Sequence, residues 1–568
     1  MLKSIDDLIL LHPPAVYDFR EHHILFGPIA DGIPSTPIFE IYPLGFFSIV
    51  ECLEKHGFRV RIINLASRML LDRRFDPEKL IASLRPNAFG IDLHWLPHAQ
   101  GSIAIARLCK RYHPEIPVIL GGYTATYFHE ELIKYPEIDY ILRGDSTEEP
   151  LLSLMRYITK QGKTLLTNIP NLTWKEDGCI RVNPLTHVPA EVKYANNYPY
   201  IFRHAIKRRN IRGMTPFKGW SYLEWFGSPV IPILTCRGCH NGCIFCGGSK
   251  KATERYCNRR VIAVRSADRV VKDILGVKRY TRAPLFIIGD IFHPGEKYGY
   301  ALLDGLKGIR LKNLVVLELF RPAPEPALAR IRESIPNFAF EISPETHDER
   351  IRKILGKGYT NIQLEENIRL ALEYGAKRVE AFFMIGLPEQ TRESVMETVE
   401  YCGRLMDRFD RRFVPYIFPY APFVDPGCTI FEEAEKYGYR IIFRSLEEYI
   451  SASTSPIWKY SLSYETRWLS RDDIVDCSYR AGMRLNELKF RHGVIDEQTY
   501  EQTRRKIELA IEITSIVDDL IKRGEDARLK QRLREMRPHL EILFDSLLNE
   551  KIHKEWKKRE TLKKILGK

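Results

Sequence analysis

Thr235-Cys236-Arg237-Gly238-Cys239-His240-Asn241-Gly242-Cys243-Ile244-Phe245-Cys246-Gly247-Gly248 is the part of the chain richest in cysteine. It holds four of the chain's eleven cysteines within eleven residues. Cys239, Cys243 and Cys246 are spaced C-x-x-x-C-x-x-C, so a loop wrapped on itself can bring three thiolates to one centre. Closely spaced thiolates are soft ligands that suit zinc or an iron–sulfur cluster. Two zinc-type pairs would need a fourth ligand at a comparable spacing. Three thiolates on a four-iron cluster leave one iron open to an outside ligand. A zinc knuckle and a disulfide cluster are the competing readings, and nothing in the sequence points to the secretory setting that disulfides need. Cys236 is a fourth thiol that falls outside the pattern.

Downstream of the loop the chain alternates. Residues 230–234 read as a strand running into the cysteines, and 285–290, 314–320, 338–343, 379–386 and 413–418 read as five more, with helical stretches between them. Six strands suit a partial (β/α)6, TIM-like barrel, whose site lies at the C-terminal ends of its strands. Upstream, apolar runs at 8–11, 59–65, 88–93, 117–122 and 138–145 alternate with helical patterns at 43–56, 77–84, 100–112 and 148–158. That alternation argues an α/β domain with a doubly wound, Rossmann-like parallel sheet. Ligands of such sheets sit at the carboxyl ends of the strands. Gly121 and Gly122 lie at one of those ends, where two glycines let the backbone approach a large flat ligand. An ordinary turn explains the pair equally well.

Between these parts, 171–174 and 179–182 flank Glu176-Asp177-Gly178 as a β-hairpin. An aromatic and basic stretch follows: Tyr198, Tyr200, Phe202, Arg208, Arg209, Phe217, Trp220, Tyr222, Trp225 and Phe226. A linker of that composition packs between domains rather than acting as a flexible tether. After the barrel come amphipathic helices at 470–490, 502–522 and 528–548, the first capped by Ser470 with Asp473 three residues on. The tail 551–568 holds eight Lys or Arg against two acids, with Trp556, Leu562, Ile565 and Leu566. It reads as a solvated helix or as a segment lying on an anionic membrane. Four regions result: 1–160, a Rossmann-like domain; 161–229, hairpin and linker; 230–435, the barrel; and 436–568, a helical region with a basic tail.

The cysteine spacing, with Phe245 before the last cysteine and Arg237-Gly238 before the first, resembles the radical S-adenosylmethionine (SAM) superfamily. The upstream domain resembles the cobalamin-binding domain that precedes the radical SAM domain in one large subfamily. The matching pieces are Pro13-Pro14, Leu53 to Gly57, Leu120-Gly121-Gly122 and Asp139-Tyr140-Ile141-Leu142-Arg143-Gly144-Asp145, where the family usually has Gly-Glu at the end. The Asp-x-His-x-x-Gly signature of His-on cobalamin proteins is missing: Asp92-Leu93-His94 is followed by Trp95-Leu96-Pro97. His94 is therefore read as a loop or core histidine, and cobalamin is expected to lack a histidine lower ligand.

The resemblance implies that Cys239, Cys243 and Cys246 hold a [4Fe-4S] cluster whose open iron is chelated by SAM. Electron transfer then splits SAM into methionine and a 5′-deoxyadenosyl radical. It further implies that Gly289-Asp290 meets SAM's amino group, although the family commonly has Gly-Glu there. Glu341 and Ser343 would meet the ribose or carboxylate, Gly386 to Pro388 the adenine, and Phe245 the adenine by its backbone. Lys357-Gly358-Tyr359-Thr360 and Ala421-Pro422 with Pro426-Gly427 are further matches. Gly121 and Gly122 would lie against cobalamin. The implied activity is methyl transfer, or related C–C bond formation, at an unactivated carbon. Two other readings stand beside it: SAM cleavage in which cobalamin has no role, giving oxidation, cyclisation or coupling, and a non-enzymatic zinc-binding or membrane-surface scaffold.

The bulk numbers bound the rest. A chain of 568 residues is expected to form three or four domains. No apolar run reaches 18 residues, and the N-terminus carries acid early. The expectation is a cytoplasmic, reducing setting, with peripheral membrane contact through the tail as a variant. The net charge of +13 suits nucleic acid, an anionic surface or anionic ligands, and equally a salt-bridged soluble surface. No zinc finger or RNP-type motif favours nucleic acid, which is not expected as a partner. The expected partners are a small-molecule or lipid-like substrate and an electron donor such as ferredoxin or flavodoxin.

Overall fold

The first five predicted strands pair in parallel, because each is an apolar run that must be covered on both faces. They are β1 (Leu8–His12), β2 (Val60–Asn64), β3 (Ala88–Asp92), β4 (Val118–Gly121) and β5 (Tyr140–Leu142). The structure, a computed structural model, describes residues 6–35, 44–72, 74–195, 197–207, 230–420 and 424–545. The hairpin strands β6 (Leu172–Glu176) and β7 (Cys179–Val182) add antiparallel to β5. One seven-stranded sheet results, in the order β2-β1-β3-β4-β5-β6-β7. The 2-1-3-4-5 order reverses between β1 and β3, which is where an open sheet of this kind leaves its ligand crevice. At that point His12 Nδ1 lies 3.0 Å from Asp92 Oδ1, both buried.

Two boundaries differ from the sequence reading. The hairpin, placed with the linker, belongs to the first sheet: Leu172 pairs with Leu142, and Trp174 is buried. Its alternation marked it as a strand pair but carried no sign of which strand it would join. The strand predicted over 138–145 ends at Leu142. Gly144 turns away with φ +96, and the Asp145 carboxylate is bound by Arg259 of the next domain.

The helix Tyr198–Lys207 lies between the two domains, as its aromatics predict. Tyr198 Oη donates to the Pro232 carbonyl at 2.7 Å on one side, and Tyr200 Oη to Glu54 at 2.7 Å on the other. Phe217, Trp220, Tyr222, Trp225, Phe226, Arg208 and Arg209 lie outside the described residues.

The second sheet is all parallel. Its strands are β8 (Ile231–Leu234), β11 (Leu285–Ile288), β12 (Val315–Leu319), β13 (Phe338–Glu345), β14 (Val379–Ile385) and β15 (Phe413–Pro419), in sequence order across the sheet. A short antiparallel pair, β9 (Cys236–Arg237) with β10 (Ala263–Val264), follows β8. This is the expected six-stranded partial barrel. Phe383 points outward onto Tyr401 of the helix Arg392–Arg408, ring centroids 6.3 Å apart. Glu380, Phe382 and Met384 therefore face inward, since strand side chains alternate. Register pairs Glu318 with Glu341 and Glu341 with Glu380, so one inner row carries three carboxyls.

Three helices, Arg471–Arg491, Glu497–Lys522 and Asp526–Asp545, close the described chain. Ser470 and Asp473 form the predicted cap, each side chain bonding the other's backbone. Lys489 of the first helix pairs with Asp31, whose Oδ1 also accepts from Ile417 N at 2.9 Å. The N-terminal segment is thus fastened to β15. The tail 551–568 lies outside the described residues, among which no helix is long and apolar enough to cross a membrane.

Candidate functional site

Strand β8 delivers Thr235 to the barrel mouth, and the β9–β10 ladder fixes the start of the cysteine loop: Cys236 pairs with Val264 and Arg237 with Ala263. Cys239, Cys243 and Cys246 follow, all half-buried. Asn241 N donates to Cys239 Sγ at 3.3 Å, and Gly248 N to Cys246 Sγ at 3.3 Å. Burial pushes the Cys239 thiol up to about 11 and the Cys246 thiol up to about 12, and raises Cys243 as well. Cys239 and Cys246 are raised further by the charge of the other cysteines. A bound metal centre removes that penalty by replacing the protons. Three thiols on one short loop, with backbone N–H groups aimed at two of the sulfurs, are a donor set that suits an iron–sulfur cluster. Among the described residues, no three His, Cys, Asp or Glu side chains gather tightly enough to hold a single metal ion. Cys236 sits on β9, its sulfur beside Thr235 Oγ1 at 3.8 Å.

The loop is braced from behind. Ile244 N donates to Leu355 O at 3.3 Å and its carbonyl accepts from Ile430 N at 2.9 Å. Tyr420 Oη donates to the Phe245 carbonyl and its ring meets Phe245 edge-on at 5.6 Å. Lys357 Nζ stands 5.9 Å from the Phe245 ring centroid, pairs with Glu345 and donates to Ser343 O at 2.6 Å. A Cβ on Gly356 would stand 3.1 Å from Gly242 O, so this turn presses on the cysteine loop. Tyr359 covers Arg352 at 5.0 Å, and Thr360 caps the helix Asn361–Glu373. Lys357-Gly358-Tyr359-Thr360 is thus the loop's support. Ala421 and Pro422 lie outside the described residues.

Of the residues expected to meet SAM, Gly289 and Asp290 follow β11, Glu341 and Ser343 lie within β13, which runs on to Glu345, and Gly386 follows β14. Gly289 has φ +83, and its N–H donates to Glu318 Oε2 at 2.7 Å. Asp290 Oδ1 accepts from Phe292 N of its own turn at 2.8 Å, and Oδ2 from Phe320 N, just after β12, at 3.2 Å, so it ties the two turns together. Glu318, which the sequence reading did not single out, is the half-buried carboxyl next to Gly289, its pKa raised by burial. Its signal was one acid in the otherwise apolar Val-Val-Leu-Glu-Leu of β12. Glu341 is buried, and burial with the neighbouring Glu380 holds its pKa well above the usual carboxylate range. Glu380 pairs with Arg378 Nε at 2.7 Å. Ser343 is half-buried near the end of β13. Gly386 N donates to Gln390 Oε1 at 2.7 Å, and its carbonyl accepts from Tyr439 Oη at 2.7 Å. Gly386 and Pro388 are both buried, so this turn offers a ligand surface contact rather than free backbone groups.

Gly121 and Gly122 end β4 beside the switch point. Gly122 has φ +120, and a Cβ there would stand 2.6 Å from the Leu93 carbonyl, so its glycine is required by the crossing chain itself. Gly121 is half-exposed, with only Leu142 O at 3.7 Å from a Cβ. His94 packs against Trp95 at 4.9 Å and Tyr123 at 5.1 Å, and burial lowers its pKa to about 4. His94 is thus a neutral, ring-packed histidine in the loop after β3. Trp95 is 41% exposed. An open glycine at a strand's carboxyl end fits a large flat ligand such as a corrin.

Residues 35–151 match the B12 binding domain and residues 233–402 match the radical SAM superfamily. An uncharacterized methyltransferase of Pyrococcus horikoshii is 23% identical over 64% of this chain and 73% of its own length. The cytidylyl-2-hydroxyethylphosphonate methyltransferase of Streptomyces wedmorensis is 22% identical over 61% of this chain and 69% of its own. In fold, the chain is similar to the radical SAM methyltransferase TsrM from Kitasatospora setae with cobalamin and a [4Fe-4S] cluster bound. The TM-score is 0.57 at 15% identity, covering 90% of this chain and all of that one. The chain belongs to the radical SAM superfamily, in the subfamily with an N-terminal B12-binding domain.

Proposed function

We propose that this protein is a cobalamin-dependent radical SAM enzyme that methylates an unactivated carbon of a small-molecule or lipid-like substrate. The observation that carries the reading is the placement of Cys239, Cys243 and Cys246 on one loop after the first strand of a six-stranded parallel barrel, with backbone N–H groups on two of the sulfurs. A cluster on those thiols supplies the electron that splits SAM, and cobalamin at the edge of the first sheet supplies the methyl group. Glu318 and Gly289, joined by the Gly289 N–H, would take SAM's methionine part. Glu341, beside Glu318 on the neighbouring strand, and Ser343 would take its ribose. The buried turn at Gly386 and the Phe245–Tyr420 contact form an apolar wall for the adenine. Tight packing behind the loop keeps water from a reactive intermediate.

An outside electron donor such as ferredoxin or flavodoxin has a short approach. Gly242 is exposed, and a pocket of about 610 Å³ beside the loop is lined by Asn241, Cys243, Phe320, Arg321 and Ile362, among others. The test is anaerobic reconstitution followed by reduction in the presence of SAM. The expected product is 5′-deoxyadenosine, with S-adenosylhomocysteine appearing only when cobalamin is loaded. Neither product, with reductant and candidate substrates present, would refute the reading.

A further inference from the structure

Two arginines of the barrel reach into the first domain at the cysteine loop. Arg237 stands two residues before Cys239 on β9. Its Nη2 donates to Glu148 Oε1 at 2.5 Å and its Nη1 to Glu148 Oε2 at 3.2 Å, a two-toothed grip. Nη1 also donates to Ser146 Oγ at 3.1 Å, and Nη2 to Ser48 Oγ at 3.4 Å. Arg259 grips Asp145 the same way, with Nε on one oxygen and Nη2 on the other at 2.8 Å. Nη2 also donates to Ser146 Oγ at 3.3 Å, and Nη1 donates to the carbonyls of Pro189 at 3.0 Å and Val261 at 3.1 Å. The four charged side chains are nearly closed to solvent: Arg259 2%, Asp145 5%, Glu148 8% and Arg237 13% exposed. Gly238, between Arg237 and Cys239, has φ +86, and a Cβ there would stand 2.5 Å from Arg259 Cδ. The Arg259 stem therefore lies directly on the backbone that leads into the first cluster thiol.

The other end of this clamp is the ligand edge of the first sheet. Residues 145–148 follow β5, whose Leu142 pairs with Gly121. Gly144 N donates to Thr126 Oγ1 at 2.9 Å, and Thr126 belongs to the short helix Tyr123–Tyr127 that begins right after Gly122. Covalent steps and hydrogen bonds thus run from the glycine turn, through Gly144 and Asp145, to Arg259, whose stem packs on Gly238 and so on the backbone that leads into Cys239. Planar forks on buried carboxylates resist small displacements, because any shift leaves a buried charge imperfectly paired.

We propose that Arg237 and Arg259 are positioning residues, through which a corrin-class ligand at the Gly121–Gly122 edge sets the geometry of the cysteine loop and so the electronic state of its cluster. The inference rests on the proposed function, which puts a cluster on the loop and cobalamin at that edge. The assignment makes the first domain more than a holder of its ligand, because its occupancy is read at the cluster before any substrate arrives.

The experiment uses the full chain, anaerobically reconstituted with iron and sulfide, with and without hydroxocobalamin. The readouts are the electron paramagnetic resonance spectrum of the reduced cluster and its midpoint potential. Wild type is expected to show a change in both on loading. Arg237→Gln and Glu148→Gln are expected to keep their iron and to take up hydroxocobalamin, seen by its visible absorbance, but to lose the change. Arg237→Lys, which keeps the charge without the fork, is expected to retain part of it. Hydrogen exchange of the peptide spanning 239–246 gives a second measure on unmutated protein, with slower exchange expected after loading. An equal spectral shift in wild type and Arg237→Gln, or no shift and no change of exchange in wild type, overturns the proposal. Failure of the underlying reading shows differently, as a wild type that binds no cluster or no hydroxocobalamin, and that result removes both.

Discussion

Gly386→Ala tests whether this glycine serves the protein's own packing. Its φ of +92 strains any residue with a side chain, at a cost of about 1–3 kcal/mol. The added Cβ would lie 2.5 Å from Tyr464 Oη and 3.2 Å from Tyr464 Cε2, and overpacking of that kind costs about 1–3 kcal/mol more. Tyr464 is fully buried and cannot swing aside cheaply, because its Oη donates to the Tyr420 carbonyl at 2.9 Å, and Tyr420 holds the Phe245 carbonyl in turn. The sum is about 2–6 kcal/mol of lost stability. Tyr464→Phe alone removes one hydrogen bond and leaves one carbonyl without it, costing about 1–3 kcal/mol. In Gly386→Ala/Tyr464→Phe the closest contact is gone, so the double variant should be less destabilised than the two singles added, by about 1 kcal/mol or more. The assay is urea and thermal unfolding of the four proteins without cofactors, followed by circular dichroism. A Gly386→Ala protein within about 0.5 kcal/mol of wild type, or strict additivity in the cycle, would refute the packing argument.

Glu318→Gln should weaken SAM binding about tenfold or more, since a hydrogen bond to a charged group contributes about 1.5–3 kcal/mol. Calorimetry on the reconstituted protein measures it, and unchanged affinity would place SAM's ammonium elsewhere. Glu341 and Glu380 have raised pKa values, from burial first and then, for Glu341, from the charge of its neighbour. The folded state therefore holds protons that the unfolded chain has already released, so stability falls as pH rises above the ordinary carboxyl range. Glu341→Gln should flatten that fall above the ordinary carboxyl range in thermal unfolding, and a parallel pH profile would count against the buried pair. Cys236→Ala should keep its cluster and Cys239→Ala should lose it, by iron content and visible absorbance; the reverse outcome would make Cys236 a ligand.

The parts of the fold that were legible are those whose signal is local. The barrel strands show as apolar runs because a parallel sheet covered on both faces needs them. Ser470 with Asp473, and Thr391 before its helix, announce their caps within four residues. The three cluster thiols sit in one loop and can be read together. What stayed hidden depends on distant partners. Asp145 looked like a strand end because Arg259, which draws it out, lies 114 residues away. Glu318 looked like one more strand residue because Gly289, which it holds, is 29 residues back. The hairpin's place was hidden because alternation tells which face is buried but not which edge is joined. The helix Leu65–Leu71 was missed because it starts directly off β2, with Asn64 both ending the strand and capping the helix through Ser67 N at 2.8 Å.

The central claim is that Cys239, Cys243 and Cys246 hold a four-iron cluster that reductively cleaves SAM. It is tested most directly by measuring iron, labile sulfide and zinc per chain after anaerobic reconstitution, in wild type and in the triple Cys→Ala variant, with 5′-deoxyadenosine followed in the same samples. The account predicts about four irons and four sulfides per wild-type chain, 5′-deoxyadenosine on reduction with SAM, and the loss of all three in the variant. Stoichiometric zinc in place of iron, or a variant that keeps its cluster and its product, would contradict it.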